Sequence, residues 1–287
     1  HLLSRRQRQM CIRDSYYCDT MTGLSILKNN KLWLTSIRNM NDSNEEISIY
    51  EIFCKKLREY DNRKSRKLND FFNLAGMKGY FQTYTHCLGT DPYYVACFSR
   101  DGDSVSQWNS YADNGRGIAI GFDELEFNRL NDEKMINYYN VTYINSDLIQ
   151  PEIENVYKNM MECNTSNGGK LMDVFIEYIK LKYGNPEKYK SSHYESEKEV
   201  RIVYDKSKNQ VKEWNEWKLG NVDVYAKRSC INTYIPLEFP KSAIKKIVLG
   251  PMYQKNYFEV EIDIKGVLGY DRAVEIVTSE SGFRGIR

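Results

Sequence analysis

Three groups of residues in this 287-residue chain have the types and spacing that chemistry requires. The first is Glu197-Lys198-Glu199 running into a β-rich stretch, with Arg201 two places beyond. Side chains repeat every two residues along a strand, so Glu199 and Arg201 fall on one face. A carboxylate beside a guanidinium stays ionised at neutral pH. It can bind sugar hydroxyls or stabilise an oxocarbenium ion as positive charge develops. An ion pair on a sheet surface uses the same two residues without any chemistry. The second group centres on Ser99, which closes the run VACFS. No G-x-S-x-G surrounds it, and His86 and His193 have no triad context, so its hydroxyl reads as a positioning group rather than a nucleophile. The third is Asn41-Asp42, which turn capping explains equally well.

The stretch 94–122 has to position much of this. Residues 94–98 and 117–122 are short apolar β-rich runs, and Ser104 stands where a helix carrying Trp108 and Tyr111 on one face would start. Asn114-Gly115 and Gly117 supply turn residues that reach positive φ easily. Further along, Val200, Ile202 and Tyr204 alternate with Glu199, Arg201 and Val203, as in a strand with two different faces.

Composition narrows the function classes. A net charge of +2 gives no general drive toward nucleic acid, and no apolar run approaches the ~18 residues of a membrane span. Seven cysteines, with no C-x-x-C pair, and three scattered histidines argue against a metal site. Scattered thiols predict a reducing, cytoplasmic setting. There is no G-x-x-x-x-G-K-[ST] and no G-x-G-x-x-G, and Asn114-Gly-Arg-Gly117 is only a turn. Residues 1–15, HLLSRRQRQMCIRDS, read as a non-native assembly artefact and are set aside.

Along the rest, a strand opens at Tyr16, Asp19 or Thr20 caps a helix ending at Asn29-Asn30, and KLWLTS at 31–36 sets Leu32 and Leu34 against Trp33 and Thr35. A helix follows over about 45–60, and the basic run at 55–67 fits either a phosphate-binding face or, as the plainer reading, a solvated helix surface. Residues 68–79 look helical or mixed, and 89–92 a loop. Asp123 caps a short helix, 135–144 is strand-like, and helices are expected at 147–163 and 169–182. The last third is mostly β, with strands near 222–226, 233–239, 246–249 and 275–278 and a possible helix at 254–265. The fold class expected is α+β: a single domain over 16–287, a mixed, mostly antiparallel β core and a helical insertion at about 145–185.

Together, YYCDTMTGLSILKNNKLWLTSIRNMND, VACFSRDGDSVSQWNSYADNGRGIAIGFD, ESEKEVRIVY, IKKIVLGP and VTSESGFR resemble, in this order, a bacterial family catalogued as domain of unknown function 2971. That resemblance covers nearly all of 16–284 and implies no activity. The opening strand, helix and second strand are also similar to the start of ADP-ribosyltransferase-like domains. This second resemblance implies a split sheet, NAD as co-substrate without a metal, and transfer of ADP-ribose to a protein or nucleic-acid acceptor. It puts the first-strand role at Tyr16 or Tyr17, the second at Ser99 and the catalytic carboxylate at Glu199. Tyr17, Trp108 and Tyr111 would pack on nicotinamide or adenine, and Arg116 or Arg201 would meet the pyrophosphate. The first strand lacks the Arg or His that such domains commonly carry there. Two alternatives stand beside this: a non-catalytic module binding nucleic acid or a protein partner, and a hydrolase of a nucleotide's glycosidic bond.

Overall fold

The computed structural model describes residues 12–37, 48–64, 93–162, 168–184, 186–227 and 230–282. Contacts divide the described residues into two compact units: those within His1–Asn39, Tyr93–Asn140 and Ser196–Arg287, and those within Met40–Pro92 and Val141–Glu195.

The first unit is built on a twelve-stranded sheet. Its strands open with β1 (Ile12–Cys18), β2 (Lys31–Ser36), β3 (Tyr93–Ser99), β4 (Ile118–Asp123) and β5 (Asn137–Asn140). After β6 (Thr142–Ile144) and β7 (Tyr189–Ser191), which belong to the second unit, come β8 (Glu199–Asp205), β9 (Glu213–Trp214), β10 (Trp217–Leu219) and β11 (Asp223–Lys227). The last are β12 (Cys230–Glu238), β13 (Ile244–Leu249) and β14 (Glu275–Thr278). The path runs β14-β13-β4-β1-β3-β2-β12-β10-β9, with β8 also on β3, β5 on β8, and β11 on β12. Within this sheet β13–β14 is parallel and the other pairs are antiparallel, so the expected α+β class with a mixed, mostly antiparallel sheet holds.

One break in the pairing shapes everything that follows. β8 occupies one edge of β3 along its whole length, from Tyr93↔Asp205 to Ser99↔Glu199. The other edge is shared. β1 meets it at Ser15↔Ser99, and β2 meets it at Thr35↔Val95 and Ser36↔Tyr94. Beyond those points the strands part: Tyr16, Tyr17 and Cys18 pair with β4, and Lys31 to Leu34 pair with β12. A wedge therefore opens between β1 and β2, with Cys97 of β3 at its apex.

Helix α1 (Thr20–Asn29) joins the two diverging strands. It starts where expected, because the Asp19 carboxylate accepts from the Thr22 N–H, and it stops where Asn30 turns left-handed at φ 51°. Its buried Ile26 and Leu27 pack onto one face of the sheet together with Leu32, Leu34, Phe98 and Phe122. Helix α2 (Ser48–Lys64) belongs to the second unit. On the opposite face of the sheet, α3 (Val105–Tyr111) lays Trp108 over Tyr17, Ala119 and Val248. Helix α4 (Glu124–Asp132) adds Phe127 and Leu130 to the main core, capped by Asp123 as expected.

Several expected boundaries shift. β1 begins at Ile12 rather than Tyr16, so the strand draws on 12–15, part of the stretch expected to be non-native. Asp14 and Ser15 are buried, and Asp14 accepts a hydrogen bond from Tyr138. Ser104 holds the N-cap position of α3 without making a side-chain cap bond. Gly117 does not supply positive φ; Asn114 (φ 51°) and Gly115 (φ 81°) do. Gly117 is required for a different reason, because a Cβ there would lie 2.1 Å from the Cys18 carbonyl oxygen. The strand expected at 135–144 is two strands, β5 and β6. The helix expected at 254–265 is one turn of α-helix, Tyr257–Glu261, followed by a π-helical stretch, Ile262–Val267. β9 and β10 carry no periodic signature in the sequence, because two or three residues are too few to show a period.

In the second unit, α2, α5 (Ile153–Glu162) and α6 (Gly168–Tyr183) enclose a core of Ile49, Phe53, Leu57, Val156, Met160, Phe175 and Ile179. The buried Asp61 carboxylate accepts from the Tyr157 hydroxyl at 2.9 Å. The expected insertion at 145–185 falls in this unit, which also takes in α2. The basic residues Lys55, Arg58, Arg63 and Lys64 lie on the exposed side of α2, as a solvated face does. Asn41-Asp42, 65–67, 68–79 and 89–92 lie outside the described residues.

Candidate functional site

The wedge between β1 and β2 is a cleft of about 610 Å³. That is within the size range of small-ligand sites, roughly 300–1,000 Å³. One wall is Tyr16, Tyr17 and Cys18 of β1, with Tyr111 of α3 beside them. The other is Lys31, Trp33 and Thr35 of β2, extended by Tyr225 and Ala226 of β11. Helix α1 closes one side with Asp19, Thr22, Ser25 and Ile26. Five aromatic side chains and a handful of hydroxyls thus converge on one opening, the usual make-up of a site for a flat, partly polar ligand.

Tyr17 lines this cleft, but its ring is 6% exposed and stands edge-on to Trp108 with centroids 4.7 Å apart. Its hydroxyl donates to the Asp101 carbonyl at 2.7 Å and accepts the Ser104 N–H at 2.9 Å. Burial raises its pKa well above the ordinary phenol value, so it stays protonated and keeps that donor. The residue fixes the start of α3 and offers no open face for stacking. Trp108 is fully buried, and its indole N–H donates to Asp103 Oδ1 at 2.6 Å. Its expected role on a nicotinamide or adenine ring is corrected to a core role. The same Asp103 carboxylate accepts from Ser279 Oγ at 2.5 Å and from the Glu280 N–H at 2.7 Å, so the closing S-E-S segment is tied to α3.

Ser99, Glu199 and Tyr17 share one face of three adjacent strands: Ser99 opposes both Ser15 and Glu199, and Tyr17 lies two residues from Ser15. Of the three, the cleft reaches only Tyr17. Ser99 is buried, donates to the Glu197 carbonyl at 2.7 Å, and accepts the Asp101 N–H at 3.1 Å. It fastens the turn before β8 instead of orienting a ligand or the Glu199 carboxylate. Glu199 is 5% exposed and accepts from Nε of the fully buried Arg201 at 2.5 Å. The expected same-face pair therefore exists, but inside the protein, where the guanidinium is not available to a pyrophosphate. Arg116 is different. Its side chain is exposed, with Asp113 at 3.9 Å, and its carbonyl accepts from Thr20 Oγ1 at 3.1 Å, beside the start of α1.

A second carboxylate, Glu197, stands behind the cleft wall without lining it. Tyr111 donates to Oε1 of Glu197 at 3.0 Å, which brings the first Glu of E-x-E to the back of the cleft wall. Glu197 is half-buried, in a 3₁₀ turn (Ser192–Glu197) that ends just before β8. Asp19 lines the cleft, but Thr22 holds both its oxygens, at 2.9 and 2.7 Å. Burial pulls the Asp19 pKa up, and the Thr22 bonds outweigh it and hold the carboxyl below its ordinary value. Trp33 was visible in the sequence as the outward member of an alternating strand, while nothing local marked Tyr225. Among the described residues no group of three or more His, Cys, Asp or Glu is placed to hold a metal, and no helix is long and apolar enough to cross a membrane.

Residues 107–202 match the model of a family described as "Protein of unknown function (DUF2971)". The chain resembles DUF2971 proteins. The matched stretch runs from α3 into β8 and so contains Tyr111, Arg116, Glu197, Glu199 and Arg201, while Tyr17, Trp33 and Ser99 lie before it. The DUF2971 description assigns no activity. No curated protein and no solved structure matches the chain.

Proposed function

We propose that the protein is an NAD-using, ADP-ribosyltransferase-like enzyme whose reaction centre is the cleft at the parting of β1 and β2. The observation that carries this reading is the wedge itself: a strand–helix–strand unit opens a ligand-sized cleft, and Tyr111 couples the cleft wall to Glu197. In this reading the bond between the ribose anomeric carbon and the nicotinamide nitrogen breaks, and its electron pair leaves with nicotinamide. The carboxylate of Glu197 stabilises the positive charge left on the ribose, and Tyr111 holds that carboxylate in place. The acceptor's nucleophile bonds to the anomeric carbon and loses its proton; with water as acceptor, the product is free ADP-ribose. Arg116, whose side chain is exposed, would supply the guanidinium that meets the pyrophosphate.

This moves the carboxylate role from Glu199 to Glu197, because Glu199 is enclosed with Arg201. One observation favours a second reading. Ser99 and Glu199 are both engaged within the fold, as expected of a non-catalytic binding module that uses the cleft for recognition alone. Incubation with NAD separates the two. Nicotinamide release that falls at least tenfold in Glu197→Gln supports the enzyme, and NAD binding without release supports the module.

A further inference from the structure

Trp33 is 41% exposed on the β2 wall of the cleft. One side of its ring is stacked on Tyr234, with centroids 4.0 Å apart and planes 29° from parallel. Tyr225 stands beside it at 52°, with centroids 5.2 Å apart. This arrangement is braced from behind. Tyr234 donates its hydroxyl to Asp223 Oδ2 at 3.1 Å, and the Tyr225 hydroxyl accepts from Asn232 Nδ2 at 3.4 Å. The β11–β12 pairing holds all four in register, with Asp223 opposite Tyr234 and Tyr225 opposite Asn232. An indole that is this exposed and yet fixed in orientation is a preformed platform, with one side left for the cleft.

We propose that this three-ring corner is a nucleobase-binding subsite, in which a base stacks on the open side of Trp33 and Tyr225 forms its inclined side wall. The inference rests on the cleft being a ligand site, as in the reading above, but not on any turnover. Stacking suits a base because every base has a π-face. The neighbouring cation does not compete for the ring, since Lys31 is paired with Glu238 at 2.9 Å. The Thr35 hydroxyl is the group at hand for a base edge.

The base has two possible sources, the adenine of a dinucleotide in the cleft or a base of a separate acceptor. Calorimetric titration with AMP and with a short single-stranded oligonucleotide tests the proposal on wild-type protein, Trp33→Ala and Trp33→Phe. The expected result is that at least one probe binds and loses about tenfold or more in affinity in Trp33→Ala, while Trp33→Phe stays within about threefold. Far-UV circular dichroism and a urea midpoint close to wild type establish that the Ala variant is folded. AMP-selective loss assigns the dinucleotide's own base, and oligonucleotide-selective loss assigns a separate acceptor. Equal affinity in Trp33→Ala, or binding of neither probe by wild type, overturns the subsite. Base binding that depends on Trp33, without nicotinamide release, leaves the subsite standing and overturns the enzyme reading instead.

Discussion

Tyr111 donates its phenolic O–H to Oε1 of Glu197 across 3.0 Å, joining residues 86 apart in sequence. The bond ties α3, on the β1 side of the cleft, to the turn before β8, and couples the Glu197 carboxylate to the cleft wall through Tyr111. Removing only the hydroxyl, in Tyr111→Phe, should leave the fold intact and lower nicotinamide release about three- to tenfold, the worth of one hydrogen bond of about 0.5–1.5 kcal/mol. NAD affinity should change less than turnover. A turnover unchanged in Tyr111→Phe would show that the bond does not position the carboxylate.

Glu199 and Arg201 form a pair in which one partner is fully buried and the other nearly so. Taking away the carboxylate in Glu199→Ala strands a buried guanidinium and should cost about 3–5 kcal/mol in urea unfolding. Replacing both, as Glu199→Leu with Arg201→Met, should recover most of that loss. A Glu199→Ala variant as stable as wild type would mean that this pair does not hold β8 in place.

Asp19 caps α1 at the mouth of the cleft, and its carboxyl titrates below the ordinary 3.8 because the Thr22 bonds prefer the ionised form. Asp19→Ala should destabilise by about 1 kcal/mol at neutral pH. The sign follows from the lowered folded-state pKa: the contribution is complete above the unfolded value and disappears as pH falls through the folded one. The gap between wild type and variant should therefore be constant from neutral pH down to about 5 and close on going well below 3.8. A gap that widens on acidification would contradict this account of the cap.

Gly117 and Gly266 make a contrasting pair. A Cβ at Gly117 would meet the Cys18 carbonyl oxygen at 2.1 Å, where α3's exit passes against β1, so Gly117→Ala must displace backbone on the cleft's first wall. Thermal unfolding should show a loss on the order of several °C or more for Gly117→Ala, as expected for a strained site costing about 1 kcal/mol or more. Gly266→Ala, with no atom within 4 Å, should be nearly neutral.

The sequence made the local elements legible where their signals were complete. Asp19 and Asn30 bracket α1, Leu32 and Leu34 mark the inner face of β2, and Val200, Ile202 and Tyr204 mark β8. The i, i+2 spacing also predicted the Glu199–Arg201 bond correctly. It could not say that both faces of β8 are covered, because alternation tells faces apart without telling what lies on them. The same limit hid the positions of Ser99 and Trp108, whose polar atoms are taken up by residues set only by the folded chain. Above all, the parting of β1 from β2 is a property of register on β3, and no residue in either strand announces it.

Nicotinamide release from NAD, measured side by side for wild type, Glu197→Gln and Glu199→Gln, bears most directly on the proposed cleft chemistry, with urea midpoints recorded for all three. The account predicts release by wild type, loss of at least tenfold in Glu197→Gln with an unchanged midpoint, and in Glu199→Gln a lowered midpoint as the main effect. Release that survives intact in a well-folded Glu197→Gln, or no release and no NAD binding by wild type, would contradict it.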